Sequence, residues 1–306
     1  MKKILSISMG SSSRDHTTVH EFLGEEFEIS RIGYNADLEK VIEAYKEYDG
    51  KVDAFGVGGV EFYLGVGEKK YYFREVKRIR DAIKKSKAGD GNGIKGLLVQ
   101  RAIAALEVKL NEEGKTLKGM KALKTNAVDR YVMAKALVDA GCDVTFGDFM
   151  FSLDLPIPVR SLRGVHIMAA TLLPIITKMP FKWFYPLGSA QDNPPVPKWE
   201  KYYNEAQILA GDFVSIRASM PDDLTGKIVL TNTTTAKNVE ELRERGVHLL
   251  VTSTPRLEGR TFGTNVMEAT LRAMIDKPDE QITEADFIDL IERIPLLPNI
   301  EVLNDA

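Results

Sequence analysis

Short polar side chains follow several strand-like segments in the second half of the sequence, and they are its strongest candidates for binding or catalysis. These strand ends carry the residues 125–130 (TNAVDR), 147–148 (GD), 211–212 (GD), 232–234 (NTT) and 252–254 (TST). In open parallel α/β sheets, ligands bind beyond the carboxyl ends of the strands, so we expect these side chains to line one site. The alternative is helix capping, for which Ser, Thr, Asn and Asp are favoured.

Asp148 ends the second strand of a strand–helix–strand unit, where dinucleotide-binding folds place an acid that accepts from ribose hydroxyls. We therefore predict an NAD or NADP site formed by Asn126, Asp129, Arg130, Asp148, Asn232, Thr233, Thr234 and Thr254. The alternative for Asp148 is a carboxylate that caps the next turn. Residues 126–130 contain no glycine, whereas a dinucleotide turn uses glycines to approach the pyrophosphate. Arg130 would instead suit an anionic group at the start of the helix.

A glycine-rich loop in the first half carries a second candidate group. Three glycines lie within residues 89–93, together with Asp90, and Lys95 follows two residues later. Glycines allow a backbone to approach a ligand closely or to turn sharply. We predict that Lys95, with Asp90, acts as a general acid or base in a cleft between two domains. The alternative is an ordinary surface lysine.

Two further segments are predicted to hold an anionic substrate. The turn after the first strand contributes Ser11, Ser12 and Arg14, and the segment joining the last parallel strand to its helix contributes Arg260, Thr264 and Asn265. An arginine beside backbone amides at a helix start suits a carboxylate or phosphate. The alternative is a loop held by a salt bridge. The four histidines show no metal-ligand spacing beyond His16 and His20 at i, i+4, so no metal site is predicted.

The elements that position these residues are alternating strands and helices, which predict a parallel α/β sheet. The 306 residues suggest about two domains. We predict a two-domain α/β protein: an N-terminal α/β domain at 1–114 and a Rossmann-like parallel sheet at 115–276. A proline- and aromatic-rich excursion at 149–203 covers the site or forms a subunit interface. Residues 277–306 form a C-terminal helix and tail.

The composition excludes several classes of partner and of structure. The formal net charge of −3 argues against nucleic acid, and the single cysteine, Cys142, rules out a disulfide framework. The most apolar stretch, 165–176, falls short of the ~20 residues that cross a bilayer. The apolar run 4–9 is too short for a signal peptide, so a cytoplasmic location is expected. The aromatic run 181–185 is compatible with a homodimer.

Seven segments of the chain carry a resemblance to known proteins: SMGSSSRDH at 8–16, VDAFGVGGVEFYL at 52–64, DGNGIK at 90–95, AVDRYVMAKAL at 127–137, GDFMFSLDLPIP at 147–158, GKIVLTNTTT at 226–235 and TSTPRLEGRTFGTNVMEA at 252–269. Through these segments the whole chain resembles a group of bacterial proteins commonly labelled quinate 5-dehydrogenase. The resemblance implies two domains with a cleft and oxidoreductase chemistry.

Together these observations predict an NAD(P)-dependent oxidoreductase that acts on a small hydroxylated carboxylate in the interdomain cleft. Two alternatives remain open at this point. One is a nicotinamide-independent lyase, isomerase or transferase acting on an anionic metabolite, which the missing glycine turn favours. The other is a non-catalytic small-molecule-binding protein. Fold alone does not choose among them.

Overall fold

Two mostly parallel sheets organise the chain. The structure is a computed structural model that describes residues 1–179, 193–257, 260–261, 263–294 and 296–305. The strands are β1 (Lys2–Ser8), β2 (His16–Phe22), β3 (Glu25–Gly33), β4 (Ala54–Gly58), β5 (Leu64–Val66), β6 (Lys69–Tyr71), β7 (Lys87–Gly89), β8 (Lys121–Lys124), β9 (Asp143–Phe146), β10 (Ile208–Ala210), β11 (Ile228–Thr231), β12 (Leu249–Thr252), β13 (Arg256–Leu257), β14 (Arg260–Thr261) and β15 (Asn299–Val302).

Helices cover both sheets and connect successive parallel strands. They are α1 (Leu38–Tyr48), α2 (Arg74–Ala82), α3 (Asn92–Glu112), α4 (Tyr131–Asp139), α5 (Asp148–Leu153), α6 (Leu162–Ile176), α7 (Glu200–Glu205), α8 (Phe213–Ala218), α9 (Ala236–Glu244), α10 (Thr264–Met274) and α11 (Glu284–Arg293). Among the helices of the described ranges, none is both long and apolar enough to cross a membrane.

The first sheet has the strand order β2-β3-β1-β4-β7, and only β2 runs antiparallel to its neighbour. Every residue of β4 is buried, as expected for a strand whose two faces are both covered by helices. Helix α10 packs across β4, β7 and β1, and α1 packs on β1. We call this sheet with α1, α2 and α10 the first lobe.

The second sheet has the order β15-β12-β11-β10-β8-β9, with β15 antiparallel at its edge. Its five parallel strands follow the order 2-1-3-4-5, so the chain reverses direction across the sheet between β8 and β10. Side chains of α7, α8 and α9 pack against β10, β11 and β12 in one apolar cluster. This sheet and its helices are the second lobe. The predicted two-part α/β organisation is confirmed.

The chain crosses between the lobes three times. Helix α3, of 21 residues, packs on α4 of the second lobe and on α10 and α11. Helix α10 then returns from the second sheet to the first, and β15 goes back to pair with β12. The structure therefore differs from the predicted boundary at residue 276, because α10 belongs to the first lobe and the predicted tail supplies a strand of the second.

A buried carboxylate fixes the start of α3 against α10. Glu268 is 1% exposed, and its Oε2 accepts from the backbone N–H groups of Gly91 at 2.7 Å and Gly93 at 3.1 Å. Arg272 donates to Oε1 at 2.7 Å. Burial raises the pKa of Glu268, although Arg272 opposes this. A negative charge at a helix N-terminus is favourable, so Glu268 both caps α3 and joins it to α10.

Replacing this carboxylate is expected to lower the free energy of unfolding of the protein. Glu268→Gln keeps the shape but removes charge-assisted hydrogen bonds, so we expect a loss of about 2 kcal/mol in the free energy of unfolding at pH 7. Urea denaturation measures it. Glu240→Gln is the matched control, because Glu240 pairs with Arg243 on the surface and should change little. Equal effects of the two substitutions would contradict the proposed cap.

Candidate functional site

The carboxyl ends of the two sheets face each other through charged side chains. Glu61 follows β4 of the first lobe, and Arg130 follows β8 of the second. Lys95, in the first turn of α3, donates to Glu61 Oε1, and Arg130 Nη1 lies 3.7 Å from the same oxygen. One carboxylate of the first lobe thus contacts two cations. This is the meeting point that the strand-end rule for parallel sheets selects.

Arg130 is the centre of this meeting point. Its Nη2 donates to Asp212 Oδ2 at 2.6 Å, and Asp129 Oδ2 lies 3.7 Å from its Nε. With its amide oxygen turned toward the guanidinium, Asn232 accepts from Nη1 at 2.7 Å, which satisfies both groups. We call this group the interlobe cluster: Glu61, Lys95, Asp129, Arg130, Asp212 and Asn232.

Burial sets the charge states within the interlobe cluster. Burial acts to lower the pKa of Arg130, but Asp129, Asp212 and Glu61 together raise it, so the guanidinium stays charged. Burial acts to raise the pKa of Asp212, but Arg130 outweighs it and the pKa is lowered. Burial raises the pKa of Glu61 to about 7, against the attraction of Lys95. Glu61 therefore changes charge near neutral pH.

The interlobe cluster carries no surplus of positive charge. Its three carboxylates, Glu61, Asp129 and Asp212, stand against two cations, Lys95 and Arg130. Asp212 is the most exposed of these side chains at 37%, whereas the other four are 10–15% exposed, so the cluster meets solvent on the Asp212 side. No three His, Cys, Asp or Glu side chains of the described segments are grouped to hold a metal ion.

The tight turn before α3 fixes the position of the Lys95 side chain. Gly91 has φ +97°, a conformation that glycine adopts without strain. A Cβ there would lie 3.2 Å from Thr264 Cβ and 3.3 Å from Lys95 Cε. The tight turn therefore packs the stem of Lys95 beside Thr264, the first residue of α10. Of the predicted substrate residues, Thr264 is the one that this turn brings to Lys95.

Asp90 does not pair with Lys95 as expected. Its carboxylate accepts from the backbone N–H groups of Phe62 at 2.7 Å and Asn92 at 2.9 Å. It thereby ties the segment that carries Glu61 to the start of α3. Asp90 is a positioning residue for Glu61, and Glu61 is the partner of Lys95. Glu61 is not among the residues predicted from the sequence, and the signal that identifies it is its position after the strand β4, where the strand-end rule also selects ligand-binding residues.

The Asp148 carboxylate does not cap the turn that follows it but points inward, to the loop that precedes α4. Its side chain is 94% buried, and Oδ1 accepts from the backbone N–H of Val128 at 2.9 Å. Lys124 beside it is fully buried and donates to Asn126 O at 2.6 Å. Burial lowers the pKa of Lys124 to about 8 although Asp148 opposes this. Burial likewise raises the pKa of Asp148.

The other predicted cofactor residues hold strand ends together. Asn126 donates to Ser152 Oγ at 2.8 Å and accepts from Ser215. Thr254 is fully buried and donates to Asn232 O at 2.7 Å. Thr233 and Thr234 are half-buried after β11. Thr254 therefore supports the backbone beneath the Asn232 amide, which itself contacts Arg130.

The predicted substrate residues of the first lobe bond mainly within their own region. Ser11 Oγ accepts from Ser13 N at 3.2 Å, and Ser12 exchanges two hydrogen bonds with Asn35 at 3.0 Å. Arg14 is exposed. Asn265 donates to Ser6 Oγ at 3.1 Å. Arg260 lies in β14, but its side chain is outside the described residues.

Helix α6, from the proline-rich excursion, spans the two lobes. Its residue His166 meets Tyr131 Oη at 2.6 Å on one side and the β5–β6 turn at Gly67 on the other. The backbone N–H of Arg74, at the start of α2, donates to Thr177 O at 3.1 Å. Residues 181–185, on which the homodimer prediction rests, lie outside the described residues.

A separate cavity lies on the far side of Ser152. It has a volume of about 590 Å³ and is lined by Met150, Phe151, Ser152, Leu153, Asp154, Lys198, Trp199 and Ser219. None of these residues belongs to the interlobe cluster, and Asn126 links the two places through its bond to Ser152. We place the candidate site at the interlobe cluster because that is where buried charges from both lobes meet.

Two family models match this two-lobed chain. The model described as domain of unknown function DUF8754 matches residues 93–303, and the one described as domain of unknown function DUF8753 matches residues 3–90. The chain therefore belongs to the DUF8754 family. No curated protein matches it.

Solved structures resemble the chain at a coarse level. A galactofuranose-binding protein is 12% identical, with 99% of this chain and 95% of that one covered and a TM-score of 0.37. A carbohydrate transporter solute-binding protein from Agrobacterium radiobacter in complex with D-arabinose is 10% identical, with 98% and 94% covered and a TM-score of 0.39. A glutamate dehydrogenase is 10% identical, with 95% and 71% covered and a TM-score of 0.41. These values are too low to transfer a function.

The resemblance to quinate 5-dehydrogenases is wrong. The matching families are described only as domains of unknown function, and the solved structures that match along nearly the whole of both chains include sugar-binding proteins. The predictions of an NAD(P)-dependent oxidoreductase activity and of an NAD or NADP cofactor are also wrong. The local geometry supplies a physical reason: the Asp148 carboxylate turns inward to Val128, and Arg130 is held by Asp212.

Proposed function

We propose that this protein binds a neutral, hydroxyl-rich small molecule between its two lobes and releases it unchanged. The observation that carries the proposal is the interlobe cluster, in which Arg130 of the second lobe meets Glu61 of the first. The strand order 2-1-3-4-5 supports grouping the second sheet with doubly wound, Rossmann-like sheets, whose ligands bind where the order reverses. Arg130 follows β8, at that reversal. A cytoplasmic location belongs to the same proposal.

The charge balance favours a neutral ligand over the anion expected from the sequence. Three carboxylates against two cations leave the interlobe cluster with a net negative charge when Glu61 is ionised. An anion would add to that charge in a partly buried place, where repulsion is poorly screened. A hydroxyl both donates and accepts, so a polyol can donate to the carboxylates and accept from the guanidinium and ammonium groups.

A second candidate is an enzyme that uses no nicotinamide, such as a lyase or isomerase. The observation that favours it is the Glu61–Lys95 pair, because burial raises the pKa of Glu61 to about 7, where a general acid or base works best. The catalytic role of Lys95 therefore stays a prediction. The two candidates differ in whether the bound molecule is recovered unchanged.

The proposal is tested with matched neutral and acidic ligands. D-glucose with D-gluconate, and D-ribose with D-ribonate, differ mainly in charge. We expect the neutral member of a pair to raise the Tm, since a ligand that binds the folded state stabilises it. Native mass spectrometry of the purified protein, followed by release and analysis of bound molecules, provides the second measurement. A larger stabilisation by the acids would overturn the neutral-ligand proposal, and a chemically altered ligand would favour the enzyme.

Asp212 is expected to contribute directly to binding. Asp212→Asn retains a residue that caps α8 well but removes the charge that holds Arg130. We expect the dissociation constant of the stabilising sugar to rise by about tenfold, measured by calorimetric titration. Asp222→Asn is the matched control, because Asp222 also pairs with an arginine, Arg245, but on the surface. Unchanged affinity in Asp212→Asn would place the ligand elsewhere.

A further inference from the structure

Three buried side-chain oxygens have no hydrogen-bond partner among the described residues. They are Thr125 Oγ1, Asp148 Oδ2 and Thr231 Oγ1. Thr125 and Thr231 are fully buried, and Asp148 is 94% buried. All three lie at the carboxyl ends of strands in the second sheet. Most buried polar groups in proteins are hydrogen-bonded, so this concentration at one sheet edge calls for a physical explanation.

The sheet register aligns two of these residues around a glycine. Ala210 of β10 is paired with Lys124 on one side and Leu230 on the other. The next residues along the three strands are Thr125, Gly211 and Thr231, and aligned residues of parallel strands project from the same face. Because Gly211 has no side chain, no side chain of β10 separates the two threonines on that face.

Gly211 is required by the Thr125 hydroxyl. A Cβ at Gly211 would lie 2.2 Å from Thr125 Oγ1, which no real contact tolerates. The hydroxyl therefore leans over β10 into the space that the glycine leaves. We call the place formed by Thr125, Asp148, Gly211 and Thr231 the strand-end subsite.

The strand-end subsite lies directly below the interlobe cluster. Asp212 and Asn232, which hold Arg130, are the residues that follow Gly211 and Thr231. A ligand that contacts Arg130 therefore lies one residue away from the two hydroxyls. Asp148, the first residue of α5 and two residues beyond β9, lies at the same edge, with Oδ1 accepting from Val128 N and Oδ2 without a partner among the described residues.

We infer that the strand-end subsite binds one hydroxyl group of the ligand, an inference that rests on the proposed function. Thr125 and Thr231 can each donate or accept, and Asp148 accepts, so a single alcohol can satisfy more than one of them. The Asp148 carboxylate disfavours a carboxylate or phosphate there, although the buried Lys124 beside it offsets part of this repulsion. The subsite thus favours a ligand with a free alcohol over an acid of the same skeleton.

Valine substitutions separate this role from a structural one. Thr125→Val and Thr231→Val keep the shape but remove a buried hydroxyl that has no protein partner. We expect an unchanged or higher Tm without ligand, and a dissociation constant for D-glucose or D-ribose about tenfold higher. Thr252→Val is the matched control in the same buried row, because its hydroxyl donates to Thr254 O at 3.0 Å. It should lower the Tm and leave the affinity unchanged.

The outcomes distinguish the strand-end subsite from the proposed binding of a neutral, hydroxyl-rich ligand on which it rests. Wild-type protein that binds neither sugar overturns the proposed function itself. Wild-type protein that binds one of them with the same affinity as Thr125→Val and Thr231→Val overturns the strand-end subsite alone. If Thr231→Val lowers the Tm as much as Thr252→Val does and retains the affinity, the Thr231 hydroxyl stabilises the folded protein and does not bind the ligand. Weaker binding at undiminished Tm supports the inference.

Discussion

Replacing Arg130 by methionine is expected to cost about 3 kcal/mol of unfolding free energy, because it removes the guanidinium from two largely buried carboxylates, Asp129 and Glu61, and from the partly exposed Asp212. Asp212 loses a bond of 2.6 Å, and Asp129 and Glu61 lose a neighbouring positive charge. Methionine fills a similar length of side chain, so the loss reports the charge more than the packing. Urea denaturation at pH 7 measures the effect.

Two companion variants identify the cause of that loss. Arg78→Met removes an arginine that pairs with Glu39 on the surface, and its denaturation midpoint should hardly move. Asp212→Asn in the Arg130→Met background removes one of the carboxylates that no longer have Arg130 as a cationic partner. It is expected to recover about 1 kcal/mol or more if charge is the cause. If the double variant has the same free energy of unfolding as Arg130→Met, the loss results from packing rather than from charge.

Stability should fall as the pH rises through the titration of Glu61. Its pKa of about 7 in the folded protein exceeds the ordinary value of 4.5, so the folded state keeps its proton to higher pH than the unfolded state does. The contribution of Glu61 is therefore fully present below pH 4.5 and lost as the pH rises through 7. The difference corresponds to about 3 kcal/mol.

Glu61→Gln isolates this contribution because glutamine cannot titrate. The unfolding free energy of the wild type minus that of Glu61→Gln is expected to decrease between pH 4.5 and 8 and then level off. Glu39→Gln is the control of opposite sign, since Arg78 lowers the pKa of Glu39 and the same difference should rise with pH. A flat difference for Glu61 would mean that its carboxylate is ionised throughout, as a tight ion pair with Lys95.

Much of the fold was predictable where local signals agree. In the sequence, apolar residues at helical spacing after Asp37 predict a capped helix at 38–48, and α1 forms at Leu38–Tyr48 with Asp37 accepting from Lys40 N. The edge strands β2 and β15 have weak sequence signals. β2 alternates exposed and half-buried residues in a polar segment, and β15 pairs antiparallel after a rhythm of parallel strands. Edge strands need less apolar sequence, so their hydrophobic pattern is weak.

The site was predictable from strand ends but not from pairings across the lobes. The strand-end rule found Arg130 and Asn232, which meet in the structure. It could not pair Lys95 with Glu61 or place Glu268 under the glycine loop, because both contacts depend on how distant segments pack. Asp148 was misjudged for a related reason: sequence shows that a carboxylate ends a strand, but not which way it points.

The return of α10 to the first sheet has a consequence for dissecting the molecule. A fragment ending at residue 90, where the first family model stops, would contain β1, β4 and β7 but not the helix that covers them. Such a fragment would expose apolar surface and be prone to aggregate. The segments matched by the two family models are therefore parts of one interdependent folding unit, and limited proteolysis should not release the first of them as a stable domain.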